Sequence, residues 1–248
     1  MSVHPSARAF DGAAELYDRV RPGYPPAAIA WFTRVLDLAP GRTVVDLAAG
    51  TGKLTAPLVA TGARVVAVEP SEGMIAVLRK AAPQAETLAG TAEHIPLADA
   101  CADAVLVAQA FHWFDHDVAL PEIHRVLRPG GGLGLAWNRR VLEHPAHEAL
   151  ERAISPWGSD TPRHRDRPWV DAIERTPLFE PVADEELPND QELPPGGLVK
   201  RAASISYIAA LPEETRREAL SELERFEASA PKPIVLPHVC ELFAFRPV

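Results

Sequence analysis

The residues from Thr43 to Thr55, TVVDLAAGTGKLT, constrain the fold of this chain more than any other stretch. They begin with a short apolar run, Val44-Val45, which is typical of a strand buried on both faces. After a turn of small residues come leucines at helical spacing, Leu54 and Leu58. This order predicts the first strand–turn–helix unit of a parallel α/β sheet, where a ligand binds at the turn beyond the carboxyl end of the strand.

The turn itself narrows the class of ligand. Gly50 and Gly52 lack Cβ atoms, so backbone N–H groups can approach a bound molecule. Thr55 replaces the third glycine of a dinucleotide fingerprint, and leucines stand at two positions that a P-loop requires. Asp46 ends the strand, and a carboxylate there opposes a phosphate and favours a cation such as an ammonium or a sulfonium. The turn therefore predicts a site for a nucleoside joined to an amino acid.

Strands and helices alternate from the turn onward. Strands are expected over 64–69, 86–89, 104–108 and 133–137, and helices over 25–38, from Ser71 onward, and over 118–128 up to Pro129-Gly130-Gly131, which we interpret as a helix stop. This rhythm predicts a doubly wound, mostly parallel sheet. An acidic, proline-rich connection over 182–195, with room for a short strand, is expected next. Two helices (198–203 and 213–227) and a closing strand (234–245) are expected after it.

Composition limits the function classes. The net charge of −9 over 248 residues argues against a nucleic-acid surface. Cys101 and Cys240 match no metal or redox spacing, and we interpret them as free thiols. No apolar run approaches the length of a membrane span, and the N-terminal residues lack a signal-peptide core. We expect one soluble, cytoplasmic domain that contacts neither nucleic acid nor membrane and is a monomer or homodimer.

Four motifs, in order, resemble those of class I S-adenosylmethionine-dependent methyltransferases of type 11. They are V-V-D-L-A-A-G-T-G, in which Ala48 stands for the usual first glycine, E-P-S-x-x-M, G-T-A-E with the I-P-L that follows, and P-G-G. The N-terminal Y-x-x-x-R-P-x-Y-P resembles small-molecule methyltransferases related to trans-aconitate methyltransferase. The resemblance covers roughly residues 10–138 and implies a seven-stranded Rossmann-like sheet with S-adenosylmethionine as cofactor.

The resemblance also implies how the domain is divided and what it does. Residues 25–138 would form the cofactor-binding core, and residues 1–24, 139–175 and 195–210 a lid that selects the acceptor. The expected reaction is direct displacement of the methyl group by an O-, N- or C-nucleophile or a carboxylate of a small molecule. Two alternatives stay open: an enzyme that uses the sulfonium for a reaction other than methylation, and a module that binds the cofactor without turnover.

Individual site residues follow from the topology and the resemblance together. Glu69, 17 residues after Gly52, is expected to accept the ribose hydroxyls, although a strand-end carboxylate facing water fits too. Met74 packs on adenine or simply in the core. The expected cofactor residues are Tyr17, Arg21, Asp46, Ala48, Gly50, Thr51, Gly52, Glu69, Pro70, Met74, Thr91, Ala92, Glu93, Gln109 and Ala110, and the expected acceptor-facing residues are Tyr24, Trp113 and Tyr207.

Histidines and arginines supply the remaining candidates. His112 follows the fourth strand and is expected either as a neutral general base or as a structural histidine beside Trp113. His144 and His147 are three residues apart, which we interpret as a solvated helix face rather than a metal pair. Arginines 163, 165 and 167 are interpreted as solvated lid charges, with attraction of an acidic substrate as the alternative. We expect no bound metal.

Overall fold

A seven-stranded sheet forms the centre of the computed structural model, which describes residues 14–158 and 168–248. The strands are β1 (Thr43–Leu47), β2 (Arg64–Glu69), β3 (Glu86–Ala89), β4 (Ala102–Ala108), β5 (Leu127–Arg140), β6 (Phe179–Pro188), β7 (Gln191–Leu193), β8 (Ile234–Leu236) and β9 (His238–Pro247). The sheet order is β3-β2-β1-β4-β5-β9-β6, and β7 pairs with β8 separately. Six of the seven described strands of the large sheet run in one direction and β9 runs opposite to them, so the expected mostly parallel, doubly wound sheet is confirmed.

Helices cover the sheet and build a second layer above one edge. They are α1 (Ala14–Val20), α2 (Pro26–Leu36), α3 (Thr55–Val59), α4 (Glu72–Ala81), α5 (His116–Val126), α6 (Pro145–Ile154), α7 (Pro168–Arg175), α8 (Gly197–Ala203), α9 (Ser206–Ala209) and α10 (Glu213–Ser229). The expected cap of α4 is confirmed, since the Ser71 hydroxyl accepts the Met74 N–H at 3.2 Å.

Alternation along the strands divides the core into two layers. Val45 and its neighbours on one face pack with α5 and Trp137, while Val44 lies on the other face with Trp31 and Phe32 of α2. All five residues of β1 are buried, which explains why its sequence is almost continuously apolar. The sheet therefore holds the turn after β1 rigidly at its carboxyl edge.

The helices α6, α8 and α10 with the β7–β8 pair form a unit that we call the helical cap. Its buried residues, among them Leu150, Leu198, Leu223 and Leu236, make a core of their own. The expected helices over 198–203 and 213–227 are confirmed as α8 and α10. The division of the chain into a core and lid segments stays a prediction, and residues 1–13 and 159–167, with Arg163, Arg165 and Arg167, lie outside the described residues.

Two local expectations were wrong. Pro129-Gly130-Gly131 lies inside β5 and does not stop α5, because the helix already ends at Val126 and Leu127 begins to pair with Ala102. The acidic connection does include strands, as the sequence allowed: its first part belongs to β6, an edge strand with exposed acids that pairs with β9, and β7 follows. The closing strand is divided at Pro237 into β8 and β9. Within the described residues, no helix has the length and apolar character needed to cross a bilayer.

Candidate active site

The turn after β1 has a backbone that few side chains tolerate. Ala48, Gly50 and Gly52 all have positive φ, at 57°, 58° and 87°. A Cβ added at Gly50 would meet no atom within 4 Å, whereas one at Gly52 would lie 3.1 Å from the Leu78 side chain of α4. Gly52 is thus required by the fold, and Gly50 leaves open space beside the carboxyl edge of the sheet.

Glu69, at the end of β2, is fixed by the backbone on both sides. Its Oε2 accepts the Gly50 N–H at 2.9 Å, and its Oε1 accepts the Ser71 N–H at 3.0 Å. The side chain is therefore held next to the open space at Gly50. Because a carboxylate already uses the N–H of Gly50, a pyrophosphate would meet a negative charge there, and sugar hydroxyls suit the position better.

Asp46 lies behind the turn rather than in front of it. The residue is only 1% exposed, and its carboxylate accepts the Thr55 hydroxyl at 2.5 Å. Burial raises the pKa of Asp46 to about 7; the Thr55 hydrogen bond opposes this shift and the charge of Glu69 adds to it. The sequence predicted a carboxylate at the place where an anion would dock, and this prediction is corrected. Asp46 lies behind the turn and affects the site through its electrostatic field and through its hydrogen bond to Thr55.

The other predicted adenine-side residues have mixed surroundings. Met74 is buried on the inner face of α4, and Ala92 is buried in the core, whereas Pro70 is exposed. Thr91 is bridged to His94. Glu93 accepts the backbone N–H of Asp115 at 3.1 Å, so it supports the start of α5. Their contacts with a cofactor stay predictions.

Helix α1 lies directly over the turn. Asp18 accepts the Thr51 hydroxyl at 2.9 Å and pairs with the ammonium of Lys53 at 3.3 Å. The chain after α1 is fastened as well, because the side-chain amides of Asn138 and Asn189 both donate to the Gly23 carbonyl at 2.9 Å. The described part of the N-terminal segment, residues 14–24, therefore covers the carboxyl edge of the sheet, and we call it the roof.

The carboxyl end of β4 carries a strained residue. Gln109 has a φ of 60°, a conformation that a non-glycine residue adopts at a cost and that recurs at functional sites. Its side chain hydrogen-bonds Tyr24, and burial raises the pKa of Tyr24 well above its usual value. Gln109, the partly buried Ala110 and Tyr24 thus line one wall of the space under the N-terminal segment.

The geometry of His112 argues against the base that the sequence suggests. The Trp137 indole N–H, which can only donate, lies 3.3 Å from His112 Nδ1. A neutral His112 that accepts this bond carries its proton on Nε2, so no ring nitrogen remains to take a proton. Trp113 stacks beside it with ring centroids 5.0 Å apart. The structural alternative fits better.

Arg21, which the sequence predicts as a cofactor residue, lies near two arginines that were not predicted, Arg140 and Arg201. Arg201 of α8 is 7% exposed and lies near Arg21 and Arg140, whose positive charges add to burial in lowering its pKa. The guanidinium of Arg21 lies 4.9 Å above the Tyr17 ring and donates to the Ser204 carbonyl at 3.3 Å. Arg201 shares one face of α8 with the buried Leu198 and Ala202, and this helical spacing was the sequence signal for an inward-facing arginine.

Tyr207 and the histidines of the cap lie next to these arginines. The Tyr207 ring packs closely on the backbone of Gly158 and lies near Arg21. His147 is fully buried, with Nε2 2.8 Å from the Pro237 carbonyl, and its ring is perpendicular to that of His238. The expectation of a solvated face for His147 was wrong, because α6 turns this residue into the cap. No group of three or more His, Cys, Asp or Glu suited to a metal occurs in residues 14–158 and 168–248.

The residues at the turn fit S-adenosylmethionine. Open space at Gly50 accommodates a bound molecule, and Glu69 is held where an acid accepts ribose hydroxyls. The buried carboxylates of Asp46 and Glu69 favour a ligand that carries positive charge. The sheet order is that of a class I methyltransferase fold, and these features suit its cofactor.

Comparisons with known proteins agree with this class. A methyltransferase-domain family model matches residues 45–135. An uncharacterized methyltransferase of Mycobacterium tuberculosis is 42% identical over 236 residues, which cover 93% of this chain and 92% of the relative. An uncharacterized methyltransferase-like protein of Schizosaccharomyces pombe is 33% identical over 217 residues, covering 87% and 84%. The chain therefore belongs to the class I S-adenosylmethionine-dependent methyltransferases.

Solved structures share the fold at lower identity. A provisionally assigned type II methyltransferase of Anaeromyxobacter dehalogenans superposes with a TM-score of 0.66 at 24% identity, covering 91% of this chain and 96% of that one. The cyclase SpnF superposes with a TM-score of 0.62 at 16% identity, covering 97% and 95%. These likenesses concern the fold.

Proposed function

We propose that this methyltransferase transfers the methyl group of S-adenosylmethionine to a small-molecule acceptor by direct displacement. The observation that carries the proposal is the turn after β1, where open space at Gly50 adjoins a Glu69 carboxylate held by two backbone N–H groups. When bound, the cofactor supplies a methyl group activated by its sulfonium. An acceptor lone pair then forms the new bond to carbon while the electron pair of the broken bond stays on sulfur.

The residues of the chain contribute mainly by positioning. Glu69 and the turn orient the nucleoside, and Asp46 lies behind the turn, where a bound cation favours the ionised form of its carboxyl group. Gln109 and Tyr24 form the wall next to the reacting centre. Such orientation supplies much of the acceleration of a displacement, and a carboxylate acceptor needs no base. The engaged Nδ1 of His112 is in keeping with a reaction that requires no proton removal by the enzyme.

A small acceptor suits the enclosure better than a macromolecule. The N-terminal segment and the cap cover the reacting centre. The N-terminal segment is held in place by the hydrogen bonds of Asp18 and Gly23. The net charge of −9 disfavours a nucleic acid as acceptor. We keep a monomer or homodimer without a membrane partner as part of the proposal.

Calorimetric titration with S-adenosylhomocysteine tests the cofactor site, with NAD as the control. We expect micromolar binding of the first and none of the second. A methyl-transfer assay with small acids, phenols and amines then tests the reaction by release of S-adenosylhomocysteine. Turnover of an acceptor without that release would favour the non-methylating alternative. Failure of S-adenosylhomocysteine to bind would remove the basis of the proposal.

A further inference from the structure

The buried Arg201 and the half-buried Arg21 have no carboxylate counter-ion among residues 14–158 and 168–248. Arg201 forms no ion pair with a carboxylate in the described ranges, and its Nε has no hydrogen-bond partner there. The Nε of Arg21 is also buried without a hydrogen-bond partner among the described residues. Of the three neighbouring arginines, Arg140 alone is paired, with Glu151 at 2.8 Å. Burying an unpaired charge costs free energy, so such groups normally meet a partner.

Within the described part of the chain, the carboxylate and imidazole groups packed near these arginines do not provide that partner. Glu227 of α10 is buried, but its two carboxylate oxygens accept the N–H groups of Leu198 and Val199 at the start of α8. His147 and His238 hydrogen-bond backbone carbonyls and are kept neutral by burial, which lowers the pKa of His147 to about 4 and that of His238 to about 3. The arginines therefore leave a positive charge in the site.

The position of the arginines connects them to the reacting centre. Arg21 directly follows α1, which is held over the turn by the contacts of Asp18. Arg140 ends β5, the strand beside β4, so it lies at the same carboxyl edge as Gln109. An anion bound by these groups would share the space under the roof with the cofactor.

Charge balance indicates which ligand supplies the anion. S-adenosylmethionine has one carboxylate against an ammonium and a sulfonium, so it adds net positive charge to the site. Its carboxylate can serve one of the two unpaired guanidinium groups at most. We infer that Arg201 binds a carboxylate of the methyl acceptor, so that the enzyme selects small organic acids. This inference rests on the proposed function.

The test uses the full-length enzyme saturated with S-adenosylhomocysteine. Calorimetric titration compares glutarate and citrate with the neutral isostere glutaramide at constant ionic strength. We expect both acids to bind at millimolar concentration or tighter and the diamide to bind at least tenfold more weakly. Absence of acid binding, with S-adenosylhomocysteine bound normally, would overturn the inference and leave the proposed function standing.

Substitutions then assign the binding to Arg201. Arg201→Gln should weaken acid binding at least tenfold, Arg201→Lys should restore part of it, and S-adenosylhomocysteine binding should change by less than threefold. The control is Arg152→Gln, which alters an exposed arginine of the cap paired with Glu222. A loss of S-adenosylhomocysteine binding with acid binding intact would assign Arg201 to the cofactor and overturn the inference.

Stability provides an independent readout. Because Arg201→Gln removes an unpaired buried charge, the melting temperature of the ligand-free protein should stay equal or rise. A fall of several degrees would show that the guanidinium supports the cap itself, which would contradict a role in binding. Arg152→Gln should leave the melting temperature unchanged.

Discussion

The crevice has a sheet side, around Asp46 and Glu69, and a cap side, around Arg201 and His147. The two sides differ in whether their buried polar groups form hydrogen bonds within the fold. On the sheet side, Asp46 is bonded to Thr55, and both oxygens of Glu69 are bonded to backbone N–H groups. On the cap side, the Nε of Arg201 and the Nδ1 of His147 are buried without a hydrogen-bond partner among the described residues. Native proteins rarely leave such atoms unpaired without a reason. The buried polar groups named on the sheet side are therefore satisfied within the fold, whereas those named on the cap side are not satisfied by the described residues.

The first prediction concerns the packing of the sheet side. Gly52→Ala places a Cβ 3.1 Å from Leu78 at a φ of 87°, and we expect it to destabilise the protein by about 3 kcal/mol in urea unfolding. The control is Gly23→Ala, where a Cβ meets nothing within 4 Å and the loss should stay below about 0.5 kcal/mol. Equal losses in the two variants would show that the turn is not tightly packed.

The second prediction separates binding from folding on the same side. Glu69→Gln removes the charge and offers an amide N–H to a backbone donor, so S-adenosylhomocysteine affinity should fall roughly thirtyfold, or about 2 kcal/mol. Isothermal calorimetry measures the change. Glu72→Gln, on the exposed first turn of α4, is the matched control and should bind as the parent does. An unchanged affinity in Glu69→Gln would exclude Glu69 from the cofactor site.

The third prediction uses pH, because the two sides titrate with opposite signs. Asp46 holds a proton in the folded state up to about pH 7 but only to about 3.8 when unfolded, so its contribution to stability falls as pH rises between these values. His147 loses its proton near pH 4 when folded and near 6.5 when unfolded, so its contribution falls as pH drops through this window. Each group changes the free energy of unfolding by at most about 1.4 kcal/mol per pH unit.

Variants measured by thermal unfolding between pH 4 and 7 resolve the two contributions. Asp46→Asn should make stability rise more steeply with pH, and His147→Gln should make it rise less steeply. His94→Gln changes an exposed histidine and should follow the parent curve. If both substitutions at buried sites left the slope unchanged, the opposing titrations would not exist.

The smallest expected effect lies at Ala48. Ala48→Gly relieves a φ of 57° at the cost of a more flexible unfolded chain, so we expect a net gain of roughly 0.5 kcal/mol. Ala49→Gly is the neighbouring control, and it should lose about 0.5 kcal/mol because its backbone needs no glycine. A loss in Ala48→Gly as large as in Ala49→Gly would show that the turn holds Ala48 without strain.

The sheet side follows closely from local sequence. The strand 64–69 and the Ser71 cap are encoded by adjacent residues, and the structure has them at the expected positions. The turn at Gly50 and Gly52 has the backbone that its glycines predict. Periodicity, capping and turn chemistry act within a few residues, so the sequence by itself determined the α/β class and the location of the crevice.

The cap side was decided by tertiary structure alone. Arg140 and Arg201 are 61 residues apart in sequence and meet only when α8 folds over the end of β5. Burial makes His147 a neutral interior histidine although its position suggested a surface one, and the Trp137 indole N–H lies against His112 Nδ1, a contact that the sequence did not predict. Helical spacing is a signal for the inward position of Arg201, but charge, protonation and hydrogen bonding depend on all neighbours in space, so the sequence did not reveal its surroundings.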